Sequence, residues 1–228
     1  MTKHSMLSVL TLSSTLLLAA CGGGSSSGKS SPTTQVNPVI EDYRGSFKAT
    51  LAPMNMASPD IQGEYQLTLS DEIFQVQTTV FGAAPGARHF QYIINGKCQF
   101  NDQNEDGLVD MNEVFAQNGL ILVPLDSNLD SQIEGSDFGP IANEEGKFVY
   151  KRSADGLRFI DDLMAGDPDP KDEFSKIREE KDLQLATRSI IVLGVDENTV
   201  LPETVASFRN LSLAESLPVA CGEIQRSL

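Results

Sequence analysis

Between residues 102 and 113 the chain spaces oxygen-bearing residues as a hard cation requires. Five of the side chains that end in carboxylate or carboxamide oxygens there stand at the regular spacing of ligands, and one backbone carbonyl lies among them. Calcium takes six to eight oxygen ligands at about 2.3–2.6 Å, and a glutamate at the end of such a loop can supply two of them. The spacing therefore predicts a calcium site, with calcium as the cofactor. The predicted ligands are Asp102, Asn104, Asp106, the carbonyl of Leu108, Asp110 acting through a water, and Glu113.

Residues Asp102–Glu113, termed the acidic loop, resemble the twelve-residue calcium loop of EF-hand proteins at every defining position. Gly107 stands where that loop turns sharply, and Val109 stands where an apolar side chain anchors it to a core. An EF-hand has a helix on both sides of its loop, and the flanking residues here differ from that. The residues before the loop are strand-like, and only Met111–Gln117 after it has the pattern of a short helix. We therefore expect one loop on a β domain, and not a helix pair that opens to grip targets. An acidic turn that binds no cation is the alternative.

A second acidic stretch, Asp126-Ser127-Asn128-Leu129-Asp130, repeats only the first half of this pattern. Ser131 stands where the loop needs glycine, and Asp137 stands where it needs the final glutamate. These two departures favour a plain acidic turn over a second cation site, although the sequence leaves the second site open.

The N-terminal part of the chain has the composition of an export signal followed by a tether. The apolar run Met6–Leu18 is too short for a membrane span, which needs about 20 apolar residues, and fits a secretory signal. It ends in Leu18-Ala19-Ala20-Cys21, which resembles the bacterial lipobox. The resemblance implies that Cys21 carries fatty acyl chains such as palmitate and becomes the mature N-terminus. Residues 22–28 are all Gly or Ser, which is typical of a flexible linker.

Three regions follow from this pattern. We expect a lipoprotein signal peptide over residues 1–20, the lipidated Cys21 and its linker over 21–40, and one β domain over 41–228. The protein is then exported and anchored to a membrane through its lipid. By resemblance to known sorting rules, Gly22 rather than Asp after the lipidated cysteine favours the outer membrane if the cell has one.

The charge and the histidine count exclude several classes of function. The formal net charge is −15, which argues against DNA or RNA as a partner because neutralising phosphates needs clusters of Lys and Arg. Only His4 and His89 are present, and His4 belongs to the signal peptide. One histidine in the mature chain cannot build a metal centre on several imidazoles, and it argues against Ser-His-Asp or Cys-His catalysis. We interpret His89 as an ordinary surface or strand residue.

Most of the remaining chain alternates apolar and polar residues, which predicts half-buried antiparallel strands. Apart from Met111–Gln117, helical patterns are confined to Leu157–Met164 and Asp172–Leu185. The predicted fold class is mainly β, an antiparallel Greek-key sandwich or barrel with one or two short inserted helices. The predicted strands lie near residues 47–51, 65–69, 74–80, 90–95, 120–125, 148–151, 190–195 and 219–224.

Three segments of the β domain, 89–98, 188–193 and 217–224, resemble strands of copper/zinc superoxide dismutases. The resemblance implies their Greek-key fold and a disulfide between Cys98 and Cys221, the two cysteines that remain once Cys21 is lipidated. The residues that would bind copper are absent. Tyr92, Ile94 and Leu193 stand where the family has histidines, so we expect neither a copper site nor dismutase activity.

The sequence thus favours a non-catalytic, calcium-stabilised envelope lipoprotein that binds a partner or belongs to the structure of the envelope. The alternatives are an enzyme, either a carboxylate hydrolase or a remnant dismutase-like activity, and a calcium buffer. One site on a large domain makes a poor buffer. The identity of a protein or envelope partner does not follow from the sequence.

Overall fold

Nine antiparallel strands form one curled, half-barrel sheet in the computed structural model, which describes residues 43–133, 139–166 and 173–227. The predicted mainly-β fold is confirmed. All eight predicted strands are present, and the sequence missed only the short second strand. In chain order the strands are β1 (Gly45–Thr50), β2 (Ala52–Pro53), β3 (Gln62–Leu69), β4 (Phe74–Phe81), β5 (Gln91–Ile94), β6 (Ile121–Pro124), β7 (Phe148–Ala154), β8 (Ser189–Leu193) and β9 (Pro218–Arg226).

The strand order across the sheet is β6-β5-β8-β9-β1-β3-β4-β7, and β2 pairs with β9. β3 and β4 form a hairpin in which Leu69 lies opposite Phe74 and Tyr65 lies opposite Thr78. Alternate residues of β3 and β4 point to the inside of the curl, where they are buried, as the period-two pattern predicts. These side chains form the main core together with inward residues of β5, β6, β8 and β9.

A second core lies on the other side of β5 and β8. Every residue of β5 and β8 is buried, so neither strand shows alternation, and both of their faces are covered. The cover consists of the acidic loop, the helix that follows it and the connection between β8 and β9. The second core contains Phe90, Tyr92, Ile94, Val109, Met111, Val114, Ile121, Ile191, Leu193 and Phe208.

The described residues contain three short α-helices, α1 (Met111–Ala116), α2 (Gly156–Ala165) and α3 (Leu213–Ser216), and two 3₁₀ turns. α1 and α2 lie where the sequence predicts them, whereas α3 was not predicted. None of the helices in the described ranges is long and apolar enough to cross a membrane.

The predicted helix over Asp172–Leu185 is wrong for the residues that the structure describes, from 173 onward. The chain instead runs along the edge of β6, because the backbone N–H of Ile121 donates to the carbonyl of Glu173 and that of Ser175 donates to Ile121. Beyond this point only the 3₁₀ turns Glu180–Asp182 and Leu185–Thr187 form. Pairing with a strand edge has taken backbone groups that an α-helix would have used internally.

The predicted signal peptide, the lipidated Cys21 and its linker lie outside the described residues.

Candidate metal-binding loop

The acidic loop and α1 together form the connection between the neighbouring strands β5 and β6. The side chain of Gln117 joins the two ends of this connection through hydrogen bonds to Asn101. The Gln117 amide accepts a hydrogen bond from the Asn101 N–H at 2.9 Å and donates to the Asn101 carbonyl at 2.8 Å. The loop is therefore held at both ends by the same pair of residues.

In the first half of the acidic loop, backbone N–H groups donate hydrogen bonds to the loop's own carboxylates. Asp102 accepts hydrogen bonds from the N–H of Gly107 at 2.7 Å and from that of Asp106 at 3.2 Å. Asp106 accepts from the N–H of Leu108 at 2.9 Å. Gly107 adopts φ +89°, in the left-handed region that favours glycine, and so permits the sharp turn at the position where the motif requires it.

The last residue of the loop folds back onto its beginning. One carboxylate oxygen of Glu113, Oε1, accepts hydrogen bonds from the N–H groups of Gln103 at 2.6 Å and Asn104 at 3.1 Å. The other, Oε2, accepts from the N–H of Asp110, and Asp110 in turn accepts from the N–H of Glu113 at 3.0 Å. The pair of bonds between Asp110 and Glu113 is a capping box that starts α1, and the bonds to Oε1 place the last candidate ligand beside the start of the loop.

A buried asparagine attaches the middle of the acidic loop to the sheet. The Asn55 side chain accepts from the N–H of Val109 at 2.9 Å and donates to the carbonyl of Val109 at 2.9 Å. Its amide also donates to the carbonyl of Pro218, at the start of β9, at 2.7 Å. The Val109 side chain is buried in the second core, as the motif predicts for that position. The amide of Asn55 thus makes the two bonds that a neighbouring strand would make to Val109.

Two groups from the β8–β9 connection also reach the acidic loop. The hydroxyl of Thr204 donates to Asp106 Oδ2 at 2.5 Å, and the N–H of Ala206 donates to Asp110 Oδ2 at 2.9 Å. The hydrogen bond from Thr204 holds the pKa of Asp106 below its ordinary value. Both contacts join residues almost a hundred positions apart in sequence, and neither has a local signal that could have predicted it.

The donor set of the acidic loop fits calcium in its chemistry, because every candidate ligand is an oxygen. The loop carries five carboxylates, and among the described residues no Lys or Arg forms an ion pair with any of them. As they stand, the described residues contain no group of three or more His, Cys, Asp or Glu side chains that could hold a metal ion. The carboxylate oxygens accept backbone N–H bonds instead, and the oxygens that accept a single bond retain a further lone pair, whereas Glu113 Oε1 already accepts two.

The second acidic stretch is a buried turn. Asp126 is fully buried, and its carboxylate accepts from the N–H groups of Asn128 at 3.3 Å and Leu129 at 3.2 Å. The Asp126 carbonyl accepts from the hydroxyl of Tyr150 at 3.0 Å. Asp137, the residue in the final ligand position, lies outside the described residues. The bonds from Asn128 and Leu129 to the Asp126 carboxylate are those of a turn-capping side chain.

The residues that stand in place of copper ligands all belong to the second core. Tyr92, Ile94 and Leu193 are buried there, and Tyr92 packs edge-to-face on Phe208 with ring centroids 5.9 Å apart. His89 is not a surface residue, because it is fully buried with its ring stacked on Phe148.

The imidazole nitrogens of His89 lie 3.1 Å from the carbonyl oxygen of Leu193 and 3.4 Å from that of Ala84. Burial lowers the pKa of His89 from its ordinary value of 6.5, and the two carbonyls oppose this effect. Its described polar contacts are thus to backbone carbonyls and not to a serine or cysteine nucleophile.

Cys98 and Cys221 lie at disulfide distance, with Cα atoms 5.7 Å apart, which meets the distance that the predicted pairing requires. Cys98 precedes the acidic loop by a few residues, and Cys221 lies in the middle of β9. A bond here ties the entrance of the loop to the same strand that Asn55 contacts through Pro218.

A groove of about 770 Å³ crosses the outer face of β3, β4 and β7. Its polar lining consists mainly of amides and hydroxyls, and among the described lining residues Glu64 is the only carboxylate. Hydrolysis by a carboxylate pair needs two acids at one site. This groove therefore gives no support to the hydrolase alternative.

No protein-family model matches the chain, and no curated protein matches it. The resemblances to EF-hand loops and to copper/zinc superoxide dismutases therefore stay expectations from the sequence.

Proposed function

We propose that this protein is a non-catalytic, calcium-binding lipoprotein of the bacterial envelope, in which the cation is structural. The observation that carries the proposal is the position of the acidic loop. Five carboxylates without an ion-pair partner among the described residues sit on the segment that covers the second core, where Val109, Met111 and Val114 are buried.

Calcium would be held by Asp102, Asn104, Asp106, the carbonyl of Leu108, Asp110 and Glu113. When bound, it supplies positive charge that offsets the mutual repulsion of the loop carboxylates. The chain's own contribution is to restrict the loop that carries these residues. The motion of the loop is limited before any cation binds by the hydrogen bonds of Gln117, by those of Asn55 and by the capping box at Asp110.

The expected benefit is to the stability of the fold. A ligand that binds only the folded form stabilises it by RT ln(1 + [L]/Kd), about 2.7 kcal/mol when calcium is at 100 times Kd. Sites of this type outside the cell have Kd values of roughly 10⁻⁴–10⁻³ M. At calcium concentrations close to such a Kd the stabilisation is therefore smaller than 2.7 kcal/mol.

Calcium binding is tested by titration calorimetry on the purified protein with two matched variants. Glu113→Gln removes the carboxylate that can bind with both oxygens, and we expect it to abolish most of the heat of binding. Glu105→Gln makes the same chemical change in the same loop, at a position that is not a ligand in the motif, and should retain binding. Equal binding by the two variants, or no binding by the wild type, contradicts the proposal.

The anchor is tested separately. We expect wild-type protein in bacteria to incorporate a fatty-acid probe and to sediment with membranes, and Cys21→Ala to lose both properties. Equal labelling of the variant and the wild type would exclude lipidation at Cys21 without affecting the calcium proposal.

A further inference from the structure

The connection between β8 and β9 contacts the acidic loop and both cores within a few residues. We call residues 203–208 the bridging segment. Thr204 and Ala206 donate to Asp106 and Asp110, while Val205 is buried in the main core and Phe208 in the second core. Along this segment, residues that donate hydrogen bonds to the acidic loop alternate with residues whose side chains are buried in one of the two cores.

The Phe208 end of the bridging segment is firmly held. Its N–H donates to the hydroxyl of Ser216 at 2.8 Å, and its ring packs on Tyr92 and, at 5.4 Å between centroids, on Phe115 of α1. The Thr204 end is exposed, and its described side-chain contact is the bond to Asp106. The exposed end is therefore held by Val205 in the main core and by the bond to the acidic loop, and it has fewer fixed contacts than the Phe208 end.

We infer that the bridging segment is the calcium-responsive part of the domain. Thr204 and the Ala206 amide position Asp106 and Asp110 for the cation, and the bound cation in turn orders the bridging segment. This inference rests on the proposed function, because it assigns roles to residues that touch two of the proposed ligands.

The physical reason is the cost of ordering side chains. A free aspartate loses rotamer freedom when it binds a cation, and a carboxylate already fixed by an external donor has lost that freedom beforehand. In both aspartates the bond from the bridging segment is made to Oδ2, while Oδ1 accepts a bond from within the loop or α1. Each carboxylate is thus fixed at both oxygens. By thermodynamic reciprocity, a contact that tightens calcium binding must itself be stabilised by calcium to the same extent.

The test measures calcium affinity by calorimetry and amide hydrogen exchange over residues 203–208, with calcium and with chelator. Thr204→Val removes the hydroxyl at nearly constant shape, and we expect calcium to bind about three- to tenfold more weakly, the effect of one hydrogen bond. Thr204→Ser keeps the hydroxyl and should restore the affinity. Thr199→Val is the matched control, because it makes the same change in the β8–β9 connection at a residue whose described hydrogen bond is to Asp196 and not to the acidic loop.

In the wild type we expect calcium to slow exchange at residues 203–206 more than at Phe208, and Thr204→Val should reduce that protection. Unchanged affinity in Thr204→Val, with a lower unfolding midpoint in chelator, would assign Thr204 a purely structural role and overturn the inference. Calcium binding without any change in exchange would also overturn it while leaving the proposed function intact. A wild type that binds no calcium would overturn both.

Discussion

Replacement of Asn55 by alanine should be among the most damaging single changes outside the apolar cores. The side chain is only 6% exposed, and its amide makes three hydrogen bonds to backbone groups of Val109 and Pro218. Alanine cannot make them. A buried polar group left without a partner costs about 1–3 kcal/mol, so the loss of all three bonds should cost about 2–4 kcal/mol after partial relaxation.

The assay is urea unfolding followed by circular dichroism, in excess chelator so that calcium does not contribute. A loss of this size corresponds to a fall of roughly 5–15 °C in the thermal midpoint for a domain of this length. Asn198→Ala is the matched control, because Asn198 is an exposed asparagine whose side-chain amide, among the described residues, bonds only to nearby Asp196. It should stay within about 0.5 kcal/mol of the wild type.

A second variant separates the loss of hydrogen bonds from the loss of volume. Asn55→Asp keeps the shape but replaces the donating nitrogen by an oxygen that faces two carbonyl oxygens. We expect this variant to be at least as unstable as Asn55→Ala at neutral pH, because the site must then either bury a charge or bind a proton to neutralise it. An aspartate variant as stable as the wild type, or an alanine variant no less stable than Asn198→Ala, would show that the hydrogen bonds of Asn55 do not stabilise the fold.

Three further changes test other parts of the structure. Burial lowers the pKa of His89 from 6.5, so below that pH the unfolded chain binds more protons than the folded chain. The free energy of unfolding should therefore fall as the pH drops through about 6.5. In urea titrations from pH 7.5 to 5, His89→Gln should reduce this dependence on pH. Reduction of the Cys98–Cys221 pair, which closes a separation of 123 residues, should lower the unfolding free energy by about 4–5 kcal/mol; two free thiols in the unreduced protein would contradict the pairing. Gly156→Ala would place a Cβ atom 1.8 Å from the carbonyl oxygen of Ser70, so the start of α2 must move. We expect the free energy of unfolding, measured in urea, to fall by about 1–3 kcal/mol or more.

The strands were predictable because their signal is local. In β3 and β4, every second residue enters the main core, and the alternation of Tyr65, Leu67 and Leu69 records this directly. α1 was predictable for the same reason, since the residues that start it belong to the acidic loop itself. In β5 and β8, where both faces are buried, the apolar runs still indicated strands but could not reveal what covers their outer face.

The failures come from contacts between distant parts of the chain. The apolar spacing of Phe174, Ile177 and Leu183 suits a helix, but the edge of β6 takes up the backbone groups near residue 174. Asn55 stands among turn-forming residues, and its bond to Val109 spans 54 positions. Thr204 is an exposed threonine 98 positions from Asp106. The sequence therefore indicated the candidate ligands but not the residues that hold them.

The most direct test of the central claim is the thermal unfolding midpoint of the purified protein in calcium and in chelator. At calcium 100 times Kd, the stabilisation of about 2.7 kcal/mol should raise the midpoint by roughly 5–11 °C. Magnesium should substitute poorly, because it demands tight octahedral geometry and keeps its waters. Glu113→Gln should show little difference between the two conditions. The same wild-type midpoint in calcium and in chelator would contradict the account and leave the acidic loop as an acidic turn.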